Sequence, residues 1–150
     1  MRILKTVSRY VFALFFVAAG IRHFTNPDFY LKIMPPYIPL HLEMVYVSGV
    51  AEILLGAMLV FSDVAQILLG ARPMFSELQR LAGWGLILLL IAVFPANIYA
   101  YQHQELLPAP PFVHLLRLPL QGLLILWAYW YTRPDRPQPV QPVGAEPQSG

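Results

Sequence analysis

A glutamate interrupts one long apolar stretch of the chain. Residues 42–61 read LEMVYVSGVAEILLGAMLVF, with Glu52 near the midpoint, and a helix of about 20 such residues can cross a bilayer. A carboxylate at that depth costs roughly 2.5–3.5 kcal/mol, so we expect it to face the protein interior, with a partner, where it can exchange a proton. Ser48 and Gly56 lie four residues on either side of Glu52, so the three share one small, polar helical face.

Polar residues on other apolar stretches are predicted to converge on this glutamate. We expect Arg117 to pair with Glu52, because a long basic side chain can bend toward a carboxylate by roughly one helical turn. Asn97 and Tyr101 are four residues apart and share a helical face. The depth of these residues predicts one polar pocket, open toward the outer side of the membrane, with Glu52 as its floor. The predicted pocket residues are Glu52, Arg117, Asn97, His23, Tyr101, Ser48 and Gln121.

Each of these groups also has a purely structural interpretation. Glu52 and Arg117 could form a buried ion pair that only sets the helix register, although such pairs add little net stability. Asn97 and Tyr101 could form hydrogen bonds between helices, and a structural role is favoured for Gln121. Ionisable residues inside a membrane more often mark a functional site. We therefore interpret Glu52 and Arg117 as part of a site.

Four apolar stretches predict the elements that position these residues. We predict an all-α fold, a four-transmembrane-helix bundle that forms one domain over residues 1–132. Asn26 followed by Pro27 is typical of a helix start, so a short interfacial helix should follow the first span. Tyr30 is assigned to an interfacial aromatic belt, together with Tyr37 and Tyr46. The predicted spans are about 6–24, 42–61, 78–101 and 112–131.

The segments at the edges of these spans leave alternatives. The basic start and short apolar run of the first span resemble a cleaved signal peptide, but three further spans follow, so we favour a retained first span. The apolar part of residues 62–77 is too short to span, and it forms either an interfacial helical turn or an extension of the second span. Residues 133–150 are rich in proline without apolar periodicity, which predicts a disordered cytoplasmic tail.

The basic residues predict the orientation. Most of them fall at the amino end, in the middle loop and in the tail, which should therefore be cytoplasmic. The loops near residues 25–41 and 102–111 are then external. The residues that carry this asymmetry are Arg2, Lys5, Arg9, Arg72, Arg80, Arg133 and Arg136.

Composition excludes several classes of function. Of the residues, 57% are hydrophobic and 12% are charged, whereas soluble domains carry about 25% charged residues, so a membrane protein is indicated. The net charge of +2 is small and the basic residues are not clustered, which argues against a nucleic-acid partner. The chain has no cysteine, so it cannot form thiol or iron–sulfur chemistry of its own.

The histidines give little support to a metal centre. All four are predicted to project to the outer rim, where helix ends could hold a haem or a metal ion. The spacings HxxxH, HxH and HxxEH are absent, so we expect no metal site and interpret these histidines as interfacial. They are His23, His41, His103 and His114.

Three stretches together resemble the DoxX-like family of small bacterial integral membrane proteins. They are GIRHFTNPDFYLKIMPPYIP at 20–39, VSGVAEILLG at 47–56 and RLAGWGLILLLIAVFPANIYA at 80–100, within a resemblance over about residues 10–131. The resemblance implies a four-helix membrane bundle whose members are described as redox-associated, some as the small subunit of a quinone-reducing complex, and whose distant animal relatives are thought of as assembly factors. It marks Gly20, His23, Phe24, Pro27, Pro35, Pro36, Ser48, Gly49, Glu52, Gly56, Pro95 and Asn97.

From this resemblance we expect a quinone-binding subunit of a redox-associated complex in the bacterial plasma membrane. Tyr101, Asn97 and His23 would hydrogen-bond the quinone oxygens and Glu52 would handle a proton. A quinone is the expected cofactor and haem is the less favoured one. The expected partners are the bilayer, a membrane or extracytoplasmic redox protein and further copies of the chain. The alternative is a non-enzymatic assembly partner that binds a lipid or a client helix.

Overall fold

The structure is a computed structural model that describes residues 2–69 and 72–133. Most of the described residues are helical and none of them forms a strand, which confirms the all-α prediction; the predicted disorder from residue 134 onward lies outside them. The elements are α1 Arg2–Thr25, α2 Pro27–Lys32, α3 His41–Leu69, α4 Arg72–Gln102, a 3₁₀ turn Gln104–Leu106 and α5 Pro111–Thr132.

Four of these helices are long and apolar enough to cross a membrane, as predicted. The chain is therefore a multi-pass membrane protein. Of the two alternatives for residues 62–77, the structure contains the extension, since α3 continues to Leu69 and α4 begins at Arg72. Helix α4 starts at Arg72, before the predicted start of the span at residue 78. Arg72, Ser76 and Glu77 lower the hydropathy of its first turns without preventing a helix, so hydropathy alone places the start too late. The membrane-spanning parts are Leu4–Thr25, His41–Ser62, Ser76–Gln102 and Pro111–Thr132.

The long helices pack in sequence, α1 on α3, α3 on α4 and α4 on α5. Helix α5 also returns to α1 at the end of the bundle where α1 begins. There the Ser8 hydroxyl lies 2.8 Å from the Tyr131 hydroxyl, and the Trp127 indole N–H donates to Ser8 Oγ over 2.7 Å. These bonds close the bundle at that end.

An apolar core fills the half of the bundle in which α1 begins. The Phe12 ring lies at its centre, with ring centroids of Phe16, Trp127 and Tyr131 at 4.9, 4.8 and 5.4 Å. The buried members are Phe12, Ala13, Phe16, Leu59, Ala82, Leu86, Ile87, Leu90, Ala128 and Tyr131.

Glycines allow α1 and α3 to approach closely in the other half. A Cβ at Gly49 would lie 2.6 Å from the Cβ of His23, and a Cβ at Gly20 would lie 2.6 Å from the backbone oxygen of Gly49. Any larger residue at either position would force the helices apart. Small residues at such crossings are the usual basis of helix packing in membranes. The close approach brings the last turn of α1 beside the middle of α3.

Helix α2 lies across the end of this second half, which we call the α2 half. The helix starts with Pro27 at its first turn, as predicted, although the Asn26 side chain makes no capping hydrogen bond. Just beyond α2, the buried Ile33 packs with Ala100 of α4 and Leu107. Helix α2 therefore covers the space that the four long helices enclose at this end.

Candidate functional site

His23 and Glu52 form the centre of the polar site. Both are buried, with 5% and 9% of their surface exposed. His23 Nδ1 lies 2.9 Å from the backbone oxygen of Val45, and because a carbonyl only accepts, Nδ1 must carry a proton. On the other side of the ring, Nε2 lies 3.6 Å from Glu52 Oε2. This distance is within ion-pair range but too long for a hydrogen bond, and one further proton, on either residue, is needed for the two atoms to attract each other.

Tyr30 of α2 closes over this pair. Its ring stacks on the His23 imidazole, with 3.7 Å between centroids and 30° between planes, and its hydroxyl donates to the backbone oxygen of Ala19 over 3.5 Å. Burial raises the pKa of Tyr30, the charge of Glu52 raises it further and the charge of Arg22 opposes them. The sequence pattern assigns Tyr30 to the interfacial aromatic belt. Its position seven residues after His23, within one short motif, was the available signal that it belongs to the site.

A cavity of about 420 Å³ lies beside the pair, between α1, α2, α3 and α4. Most of its walls are apolar, and its polar groups come from five residues. This combination of an apolar enclosure and a few polar groups, in this range of volume, is typical of small-molecule sites. The five polar lining residues are His23, Tyr30, Ser48, Glu52 and Asn97.

Two of these residues have buried oxygens that make no hydrogen bond within the described ranges, although Glu52 Oε2 has His23 Nε2 at ion-pair distance. Ser48 Oγ and Glu52 Oε2 make no hydrogen bond with any of the described residues. An unpaired buried polar atom costs about 1–3 kcal/mol, and native proteins leave few of them. Both oxygens belong to residues that line the cavity. A ligand with a polar group would offset this cost.

Gln121 holds Asn97 in place from α5. The Gln121 side-chain amide N–H donates to the backbone oxygen of Leu90, and Asn97 Nδ2 donates to Gln121 Oε1 over 2.6 Å. Pro95 lies in the same part of α4, where it removes a backbone N–H. Gln121 therefore joins α5 to α4 and orients Asn97, without lining the cavity itself.

Three of the seven predicted pocket residues do not line the cavity, and the predicted ion pair between Glu52 and Arg117 is wrong. Among the described residues no ion pair joins them, because α5 packs mainly on α4 and the Arg117 guanidinium lies over the Phe29 ring, 5.7 Å from its centroid. Tyr101 is partly exposed, and Gln121 has the bracing role described above. The structure does bring together His23, Ser48, Glu52 and Asn97.

The cavity also reaches the outer surface of the bundle. Phe15, Met44 and Val47 line it, yet 50%, 45% and 60% of their respective surfaces are exposed. All three lie within membrane-spanning segments. The cavity thus borders on the surface that faces lipid.

The histidines differ more than their predicted rim positions suggest. His114 is completely buried, and neither of its ring nitrogens has a hydrogen-bond partner among the described residues. His41, by contrast, has its Nε2 3.1 Å from the backbone oxygen of Pro35. Within the described ranges, no three histidine, aspartate or glutamate side chains come together in a way that could hold a metal ion.

Comparison with known proteins gives a family but no described relative. No curated protein matches the chain, and no solved structure does. One family model matches over residues 12–63 and 57–132, which together include all five polar residues of the cavity. The chain belongs to the family described as a domain of unknown function (DUF8561).

Proposed function

We propose that this protein binds a small, lipid-soluble molecule of the quinone type in the cavity beside His23 and Glu52. The observation that carries the proposal is a cavity of about 420 Å³ with mainly apolar walls and buried oxygens on Ser48 and Glu52 that make no hydrogen bond within the described part of the chain. The apolar walls suit a ring and its hydrocarbon substituents. The polar residues suit the oxygens of the ring.

In this proposal each polar residue has a distinct role. One proton resides on either His23 Nε2 or Glu52 Oε2, which lie 3.6 Å apart, and the pair exchanges it with the ligand. Ser48 and Asn97 hydrogen-bond the ring oxygens, and Tyr30 keeps the imidazole in place by stacking. Arg117 and Tyr101 lie away from the cavity and take no part.

The wider setting belongs to the same proposal. We place the protein in the bacterial plasma membrane as a DoxX-like subunit of a redox-associated complex, beside a membrane or extracytoplasmic redox protein. Both termini are cytoplasmic and the α2 half is outermost, which the distribution of basic residues supports. Reporter fusions after residue 150 and within residues 102–111 test this orientation. An external signal from the fusion after residue 150 would contradict it.

A thermal-shift screen of the purified protein with quinones and with lipids tests the binding. A quinone should raise the melting temperature of the wild type by several degrees at saturation. The Ser48→Ala variant should melt like the wild type without ligand, since Ser48 Oγ has no protein partner, and should show a smaller shift with it. Leu88→Ala, an exposed position on α4 away from the cavity, is the control and should keep the full shift.

The mainly apolar lining favours a second candidate, a non-enzymatic assembly partner that holds a lipid chain or a client helix. Native mass spectrometry of gently extracted protein separates the two, because a bound quinone and a bound phospholipid differ in mass. If lipids shift the melting temperature and no quinone does, the assembly-partner function replaces the first proposal. If no compound shifts the wild type, the ligand pocket itself is refuted.

A further inference from the structure

The groups that the cavity presents to a ligand are mainly hydrogen-bond acceptors. Val45 fixes the proton of His23 on Nδ1, so Nε2 can pair with Glu52 Oε2, 3.6 Å away, only if the two residues share one further proton, which has two arrangements. Either a Glu52 carboxylic acid turns its proton toward Nε2, or an imidazolium turns its proton toward a carboxylate. In both arrangements Glu52 Oε1 carries no proton, so Glu52 offers the ligand an acceptor in either protonation state.

Asn97 is restricted by the same kind of argument. The Leu90 carbonyl can only accept, so Gln121 must turn its amide nitrogen toward it and its Oε1 toward Asn97. Asn97 then uses one N–H on Gln121. What remains is Oδ1, which is an acceptor, and one further N–H. The Ser48 hydroxyl can either donate or accept a hydrogen bond.

We infer that the cavity selects the reduced, hydroxyl-bearing form of its ligand, a hydroquinone, over the quinone. The inference rests on the proposed function, since it specifies the form of ligand that the same cavity takes. A hydroquinone has two O–H donors, which can pair with Glu52 Oε1 and Asn97 Oδ1. A quinone has only carbonyl acceptors, which would leave these oxygens unpaired and place lone pairs against lone pairs. Sites built to hydrogen-bond a hydroxyl discriminate strongly against analogues that lack it.

Such a preference changes the redox equilibrium of the bound ligand. A site that binds the reduced form tenfold more tightly raises the two-electron potential of the bound couple by about 30 mV. The protein would therefore stabilise quinol in the membrane.

The test compares three probes on the full-length protein in lipid nanodiscs without oxygen. The probes are a decyl-substituted benzoquinone, its hydroquinone and the dimethyl ether of that hydroquinone, and the readout is the dissociation constant by calorimetric titration. We expect the wild type to bind the hydroquinone about tenfold or more tightly than the other two. A Glu52→Gln variant should keep this preference, because its amide N–H can donate to His23 Nε2 and leave the Oε1 acceptor free.

A Glu52→Leu variant lacks the acceptor and should bring the three dissociation constants close together. Uptake of the probes by lipid is the same for all variants, so the change in the ratio reports on the cavity alone. Equal or tighter binding of the quinone by the wild type would overturn the inference while the proposed function stands. This comparison needs only the wild type, so it decides the inference even if Glu52→Leu fails to fold. If the wild type binds no probe, the proposed function and the inference fall together.

Discussion

His23 of α1 lies against Glu52 of α3, with 3.6 Å between Nε2 and Oε2. The carboxyl group that interrupts the apolar stretch thus has an imidazole partner, held by the Val45 backbone oxygen on its far side. Neither residue can be removed without leaving the other unpaired in a buried environment.

We predict that His23 and Glu52 are energetically coupled. His23→Phe strands the carboxyl group and Glu52→Leu strands Nε2, so each change should lower the free energy of unfolding. The double variant should lose less than the sum, with a coupling of about 0.5–3 kcal/mol. Denaturant unfolding in detergent measures the free energy of unfolding of the wild type, the two single variants and the double variant. The exposed pair Glu77–Arg80, 2.7 Å apart, is the control and should couple by about 0.5 kcal/mol or less. Additive losses at His23 and Glu52 would refute the pairing.

The α1–α3 crossing should not tolerate an extra methyl group at Gly49. The added Cβ would lie 2.6 Å from the Cβ of His23 and 3.0 Å from the Gly20 backbone oxygen, so Gly49→Ala should cost about 1–3 kcal/mol of stability. Gly122→Ala is the matched control. A Cβ there has nothing within 4 Å, and removal of a helical glycine should stabilise by about 0.5–1 kcal/mol. Circular dichroism during heating measures both, and equal behaviour of the two variants would contradict the close crossing.

Replacing His114 with leucine should stabilise the protein. The change removes two buried nitrogens that have no hydrogen-bond partner among the described residues, and each unpaired group costs about 1–3 kcal/mol. His41→Leu should act in the opposite direction, since it removes a nitrogen that lies 3.1 Å from the Pro35 backbone oxygen. Thermal unfolding of both variants shows whether each change raises or lowers the melting temperature. A lower melting temperature for His114→Leu would mean that its ring nitrogens are paired in the native membrane protein.

The raised pKa of Tyr30 predicts a loss of stability in alkali. Burial is the main cause of the shift, so the folded state favours the neutral phenol. This contribution is fully present below the unfolded pKa of about 10 and is lost as the pH rises through the higher folded value. Melting temperatures of wild type and Tyr30→Phe between about pH 9 and pH 12 measure it, and the wild-type curve should fall more steeply. Parallel curves would show that Tyr30 is not buried in solution.

The sequence locates the spans well because each needs about 20 consecutive apolar residues, a signal that does not depend on the neighbours. The spacing of polar residues along single helices also predicts that His23, Ser48 and Asn97 lie at the cavity. The partner of Glu52 cannot be predicted from the spacing within one helix. It depends on which helices are neighbours and how each is rotated about its axis, and α5 packs on α4, which leaves Arg117 beside Phe29.

The same limit explains why the contacts of Gln121 and Tyr30 cannot be predicted from the sequence, although the structural role favoured for Gln121 agrees with its hydrogen bonds. Periodicity places Gln121 on the face that carries His114 and Arg117, but only the packed structure reveals the Leu90 carbonyl that it reaches. Tyr30 lies in a helix of six residues, too short for a pattern to indicate which side is covered. Contacts between elements distant in sequence decide both cases.

Phe15, Met44 and Val47 belong both to the cavity wall and to the lipid-facing surface. A hydrophobic ligand can therefore arrive by lateral diffusion within the bilayer, without crossing an aqueous mouth. Occupancy then follows the mole fraction of the ligand among the lipids and not its concentration in water. A minor component of the membrane can fill such a site at modest intrinsic affinity, and dilution into an excess of detergent micelles will lower its occupancy.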